Sequence, residues 1–422
     1  MPRRIIPVSS GKGGVGKTTF AVNFALTLAR HAPTVLVDLD TGTSSVRNTL
    51  PAAPQYDLYH FKRKGVPLAQ CIARLDEHSD PEGLYGGFGV VTAPRHFIDD
   101  IANPDAAFRQ RLAQEINRLP AEYVVLDLRA GLDSNVLDFL PYTNSGVLVF
   151  TPQHPTATLA ASDIVKAILF RSLRALFAPR SGVWEQPRIE RYREAIPELL
   201  ARVEDVYDPA LTNLDAFLAE LGEALGDHPL LRVLAEALES FRVFYVLNMF
   251  NGVHEAYERA VVPFVQNLGD HVSSRLQLTN LGWVVEDERI HQANCQGFPV
   301  VLDRRQGERA RAREADPVMA ELQRLESSVL GLRRRERPRS ERPGAAPVPS
   351  PCGDLLDGQL QTLKAMFSDR TRDQVRENFT YLAYRALNLM SDAYAPTEFG
   401  LTQLASRERL QEWYLSRQPV PS

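Results

Sequence analysis

The sequence predicts an α/β fold: a mostly parallel sheet flanked by helices, with a helical insertion and a small C-terminal helical module. Three observations predict it. Short β-branched apolar runs recur with helical stretches between them, the signature of a parallel sheet covered on both faces. The runs are continuously apolar, as in Tyr123-Val124-Val125-Leu126, as expected of strands buried on both sides. Between about 171 and 242 the strand runs vanish, and apolar residues return at helical spacing.

Composition sets the frame. At 422 residues the chain is long enough for more than one folded unit, and its 44% hydrophobic and 24% charged residues are ordinary for a globular protein. A formal net charge of -4 gives no global argument for nucleic acid. Cys71, Cys295 and Cys352 are far apart and odd in number, which argues against a disulfide framework and against a paired-cysteine metal or redox site. A cytoplasmic location is the simplest expectation. The first residues run into an apolar stretch too short for a signal-peptide core, and no run of 18 apolar residues suggests a span.

Taken in order, the predicted strands are 5–8, 35–39, 90–92, 123–128, 146–150, 243–247 and 281–285. Pro7 is a misfit in the first, because it removes a ladder donor from a strand that the fold places centrally. In the insertion, Leu214, Phe217, Leu221 and Leu225, then Leu231, Leu234 and Leu238, mark two helical faces. The insertion begins basic (Arg171, Arg174, Arg180, Arg188, Arg191, Arg193) and ends acidic. An Arg- and Pro-rich stretch after 332 has too few apolar residues to fold and reads as a linker. Beyond it, Phe379, Leu382, Ala383, Ala386 and Leu387 return at helical spacing. The expected organisation is a core in two parts (1–170 and 243–332) around the insertion (171–242), then the linker (333–352) and the C-terminal module (353–422).

The first strand leads directly into Gly11-Lys12-Gly13-Gly14-Val15-Gly16-Lys17-Thr18-Thr19, which satisfies G-x-x-x-x-G-K-[ST] before a helical pattern. This is the phosphate-binding loop of a P-loop NTPase. Glycines let successive backbone N–H groups close on phosphate oxygens, Lys17 neutralises the β- and γ-phosphates, and Thr18 offers its hydroxyl to magnesium. After the second strand, Asp38 and Asp40 stand at the carboxyl end of a parallel strand, where such sheets bind ligands. Four apolar residues then end in Asp127, the expected outer-shell magnesium carboxylate. The GTPase signature N-K-x-D is missing, which favours ATP.

Lys12 separates this loop from an ordinary P-loop. Through Lys12-Gly13-Gly14-Val15-Gly16-Lys17-Thr18-Thr19 the chain resembles the MinD/ParA family of deviant Walker A ATPases. It looks closer to MinD and the flagellar number regulator FlhG than to plasmid ParA. The resemblance continues in Asp38-Leu39-Asp40, in Asp127, in Ser162-Asp163 and in Gln296 to Asp303, over about residues 3 to 170 and 241 to 330. It implies ATP and Mg2+ as cofactors, with Asp40 positioning the attacking water and also approaching the metal. It implies that Asp38 supports the metal shell or the loop, that Asn248 or Asn251 lies against adenine, and that Lys12 reaches a dimer partner's phosphates. Two departures stand out. Relatives commonly follow the Walker B aspartate with a small hydroxyl residue and proline, where this chain has Leu128-Arg129, and Val285 stands where proline is common. The first bears on sensing the γ-phosphate and hence on hydrolysis.

The implied function is a slow, partner-stimulated ATPase that dimerises with ATP and positions a cellular assembly. A ParA-like DNA partition ATPase and a hydrolysis-poor ATP-dependent protein-binding module are the alternatives. A protein partner is expected through the insertion or the C-terminal module, as detachable attachments to the core. A peripheral membrane contact is a further expectation, with 405–417 its weakly patterned candidate helix, and nucleic acid is the less favoured surface.

Overall fold

The computed structural model describes residues 4–41, 46–140, 144–185, 188–205, 211–302, 358–361 and 375–390. The predicted linker, the candidate helix at 405–417, Gly42 and Cys352 lie outside these residues. All seven predicted strands are present: β1 (Arg4–Ser9), β2 (Thr34–Asp38), β3 (Phe88–Val91), β4 (Tyr123–Asp127), β5 (Asn144–Phe150), β6 (Arg242–Phe250) and β7 (Gln277–Val285). They form one sheet in the order β3-β2-β4-β1-β5-β6-β7, and every pairing is parallel. The strands are buried nearly throughout, which is why they read as continuous apolar runs rather than alternating ones.

Pro7 fits through an adjustment in its neighbour. The Val8 carbonyl accepts from Leu128 N–H beyond β4, so the alternation of strand amides turns Pro7's missing donor toward β5. There the ladder starts only at Val8 opposite Val147, after an irregularity in β5. Gly146 sits in that irregularity with φ +63, and a Cβ on it would stand 2.8 Å from the Pro7 carbonyl oxygen. The strand beside Pro7 has bulged away from the position where a donor would be needed.

Helices cover the sheet: α1 (Lys17–Ala29), α2 (Val46–Thr49), α3 (Leu58–Lys64), α4 (Asp99–Ala102), α5 (Ala106–Ile116), α6 (Ser134–Leu137) and α7 (Pro155–Leu176). The insertion supplies α8 (Ala195–Glu204), α9 (Leu214–Leu225) and α10 (Pro229–Ser240). Next come α11 (Val253–Ala256), α12 (Val262–His271), α13 (Glu288–Cys295) and α14 (Val375–Leu389). Helix α7 runs unbroken past residue 171, so the insertion begins inside a helix rather than after one. The buried face of α10 is Leu230, Val233, Leu234, Ala237 and Leu238, whereas the expected Leu231 is half-buried, so the face is rotated by one residue from the expected reading.

The region read as a detachable C-terminal module contributes a helix to the core. Helix α1 is buried on every side from Phe20 to Ala29, and such a helix needs cover all round. The sheet supplies one side. Helix α14 supplies another: the rings of Phe20 and Phe379 are 6.4 Å apart, Phe20 stacks on Phe24 at 5.1 Å, and all three are buried. Among the described residues no strand lies on the outer side of β7, and its carbonyls accept side-chain donors, Leu278 from Gln359 and Asn280 from Arg385. Buried Tyr245 donates to Gln359 Oε1 at 2.6 Å, and burial pushes that phenol well above its ordinary pKa.

Candidate functional site

The loop between β1 and α1 has its glycines for different reasons. Gly14 and Gly16 are left-handed, with φ +82 and +79. Gly11 and Gly16 are also too crowded for a side chain: a Cβ would stand 2.3 Å from the Ala160 backbone of α7, or 2.1 Å from the Asn248 amide nitrogen. Nothing lies within 4 Å of a Cβ on Gly13 or Gly14. Gly16 caps α1 without a side-chain acceptor, which leaves the first amides of that helix for another oxygen-bearing group.

Lys17, the first residue of α1, is 6% exposed, and its ammonium lies 2.6 Å from Asp127 Oδ1 and 3.9 Å from Asp40 Oδ2. Asp127, at the end of β4, is fully buried, and its second oxygen, Oδ2, has no hydrogen-bond partner. Parallel register places Asp38 beside Asp127 across β2 and β4, and β1 lies on the other side of β4. Loop, lysine and carboxylates therefore converge at the carboxyl ends of adjacent strands.

Asp38 and Asp40 stand in different surroundings. Asp38 is buried and accepts from the backbone N–H of Asp40 at 3.1 Å and of Ala93 at 3.5 Å, so it shapes the loop that carries Asp40. Asp40 faces Lys17. Thr18 is half-buried on the first turn of α1, and the hydroxyl of Thr19 accepts from Asn294 of α13 at 3.0 Å. Asn248 is buried at the end of β6, its amide donating to the Val15 carbonyl at 2.7 Å, while the exposed amide of Asn251 goes to Glu255. The structure thus brings Asn248 to the phosphate loop and turns the side chain of Asn251 elsewhere. Lys12 is exposed and donates to Thr156 Oγ1 of α7 at 3.1 Å. Arg129 is 40% exposed and 4.0 Å from Asp133, and beyond it the Gly131 N–H donates to the Ser10 carbonyl.

The sequence reading missed three groups here: Asn294, Thr156 and the Ala160 backbone. None belongs to a local motif, and each reaches the loop from a distant helix. Among the described residues no three His, Cys, Asp or Glu side chains group to hold a metal alone. A hard cation bound mainly by phosphate oxygens and water needs few protein ligands, and the unpartnered Asp127 oxygen with the Thr18 hydroxyl suits it.

The pattern of the CobQ/CobB/MinD/ParA nucleotide binding domain matches residues 6–337. The chain belongs to this family. Among curated MinD/ParA-family relatives it is similar to the septum site-determining protein MinD of Escherichia coli K12, 27% identical over 195 residues, 45% of this chain and 67% of that one. It is similar also to MinD of Neisseria meningitidis serogroup B, 27% identical over 214 residues, 49% of this chain and 74% of that one. Among solved structures, MinD of Pyrococcus horikoshii complexed with Mg-ADP aligns at 12% identity and a TM-score of 0.44, covering 93% of this chain and 99% of that one.

Proposed function

We propose that this chain binds ATP with Mg2+ and hydrolyses it slowly as a nucleotide-gated homodimer that positions a cellular assembly, as a MinD-like or FlhG-like spatial organiser. The observation that carries it is the Lys17–Asp127 pair beneath a loop that also presents an exposed second lysine, Lys12. Entry of the β- and γ-phosphates would draw Lys17 from Asp127. The freed Asp127 carboxylate and the Thr18 hydroxyl would then hold the cation, which would supply charge neutralisation to the phosphates. Asp40, presented by Asp38, orients a water in line with the γ-phosphorus. The water's oxygen forms a bond there as the bond to the ADP oxygen breaks. Lys17 and the partner protomer's Lys12 neutralise the charge that develops, a role worth roughly 10³ to 10⁵ in rate when an arginine fills it. Among the described residues, three of the four large apolar side chains that stand exposed, Phe97, Leu132 and Leu159, follow the carboxyl ends of β3, β4 and β5, on the same edge as the loop. They suit a partner pressed against that edge.

Hydrolysis then releases the dimer, which makes the ATP state the one that engages a surface or partner. No helix among the described residues is long and apolar enough to cross a membrane, and the reading is of a cytoplasmic protein with peripheral contact. Arg129, on the loop that closes onto Ser10, favours a second reading in which ATP gates protein binding with little turnover.

The test is the solution mass of the protein with ADP, with ATP, and with ATP after Asp40→Ala, at constant magnesium. A dimer that forms with ATP, decays with time in the wild type and persists in the variant is the expected result. A dimer equally persistent in both selects the second reading. A mass indifferent to nucleotide overturns both.

A further inference from the structure

Strand β6 changes course at its carboxyl end. Leu247 lies opposite Trp283 of β7 and Phe250 opposite Val285, so Asn248 and Met249 together face a single residue of β7. That extra residue makes a bulge, the device by which a strand re-aims a side chain. Met249 sits in it with a left-handed backbone, φ +52. Glycine adopts that conformation freely, whereas a larger residue is strained there and stays only where its surroundings impose it. Both neighbours are pinned. Asn248 donates to the Val15 carbonyl at 2.7 Å, and Phe250 stacks on Trp283 at 4.8 Å while its carbonyl takes the Glu286 N–H.

Successive side chains of a regular strand point to opposite faces. Here Asn248 and Met249 both reach Gly16 of the phosphate loop: a Cβ on that glycine would stand 2.1 Å from the Asn248 amide nitrogen and 3.8 Å from the Met249 terminal methyl. Asn248 is buried and Met249 half-buried, so the thioether lies beside the loop on a residue that keeps part of its surface open.

The loop has two flanks. Sheet order puts β4 and β2 on one side of β1, and β5 and β6 on the other. Asp127 and Asp40, with the Lys17 ammonium between them, lie on the first flank. A nucleotide is likewise two-ended, a polyanion joined to a flat heteroaromatic base. On the β6 flank the Asn248 amide nitrogen is engaged by Val15, and the side chain of Asn251 turns to Glu255. Of these three neighbours, the polarisable thioether of Met249 is the group suited to a ring.

We infer that Met249 is a nucleoside-contact residue: the bulge and its left-handed backbone carry the thioether to the β6 flank of the phosphate loop, where it packs against the nucleoside of a bound nucleoside triphosphate. This rests on the nucleotide-binding reading and adds that the contact is held against the backbone's own preference.

Calorimetric titration with ATP and with inorganic tripolyphosphate, each with magnesium, tests it on the wild type, Met249→Ala, Met249→Gly and Met249→Leu. The wild type should bind ATP more tightly than tripolyphosphate, which has no nucleoside to meet Met249. ATP affinity should fall about five- to tenfold in Met249→Ala and Met249→Gly and be largely kept in Met249→Leu. Affinity for tripolyphosphate should stay within about twofold throughout. Without ligand, Met249→Gly should melt above Met249→Ala, because both lack the side chain and only glycine relieves the strain. Unchanged ATP affinity in Met249→Ala overturns the contact, and so does an equal fall for both ligands. A fall in Met249→Gly alone traces to backbone freedom and overturns it too. A wild type that binds neither ligand overturns the nucleotide reading itself.

Discussion

Lys17 and Asp127 are nearly sealed from water at 2.6 Å, and each is stable there only while the other is charged beside it. A pair of that kind becomes a switch when an incoming anion can replace one partner. Other buried groups have no such use. The Cys71 thiol is pushed up to about 11, first by burial and then by the charge of Asp57, against a lowering contact from the Phe61 backbone. At pH 8 it carries almost no thiolate, whereas Cys295 is exposed. Maleimide treatment of the folded protein at pH 8, followed by peptide mapping, should label Cys295 and leave Cys71 unmodified until denaturant is added. The phosphate-loop residues were legible because their chemistry is local: glycines, a lysine and a threonine in fixed spacing after a strand. The partners of Asp38 and Thr19 were not, because Ala93 and Asn294, which engage them, are remote in sequence.

At the scale of elements, periodicity told which faces are buried and not what buries them. Phe379, Leu382, Ala383, Ala386 and Leu387 were read as one apolar face; the first four are buried and Leu387 is half-buried. That this face lies on α1 matches the burial of α1, which is covered on every side from Phe20 to Ala29. Phe379→Ala should cost about 3 to 5 kcal/mol in urea unfolding, as expected for a buried ring removed from a packed site. A cost under about 1 kcal/mol would mean that α14 does not pack there in solution. Pro7 was unreadable for a related reason. A proline disqualifies a central strand unless its neighbour bulges, and the glycine that allows the bulge, Gly146, belongs to another strand.

For the whole molecule, the alternation of runs was enough for the sheet class. Strand order and the route of the chain after β7 depend on contacts between ends of the sequence. Within 353–422, read as detachable, helix α14 and Gln359 cover part of α1 and of the edge of β7. Deleting 353–422 should therefore lower the melting temperature and weaken nucleotide binding together, measured by calorimetry with and without nucleotide. Retained stability and affinity would restore the detachable reading. The same packing bears on synthesis. Phe20 leaves the ribosome early and its cover, Phe379, roughly 360 residues later, an interval on the order of 20 to 70 s. Until then the nascent chain keeps one greasy flank of α1 bare, so a message stopped short of Phe379 yields a stickier product.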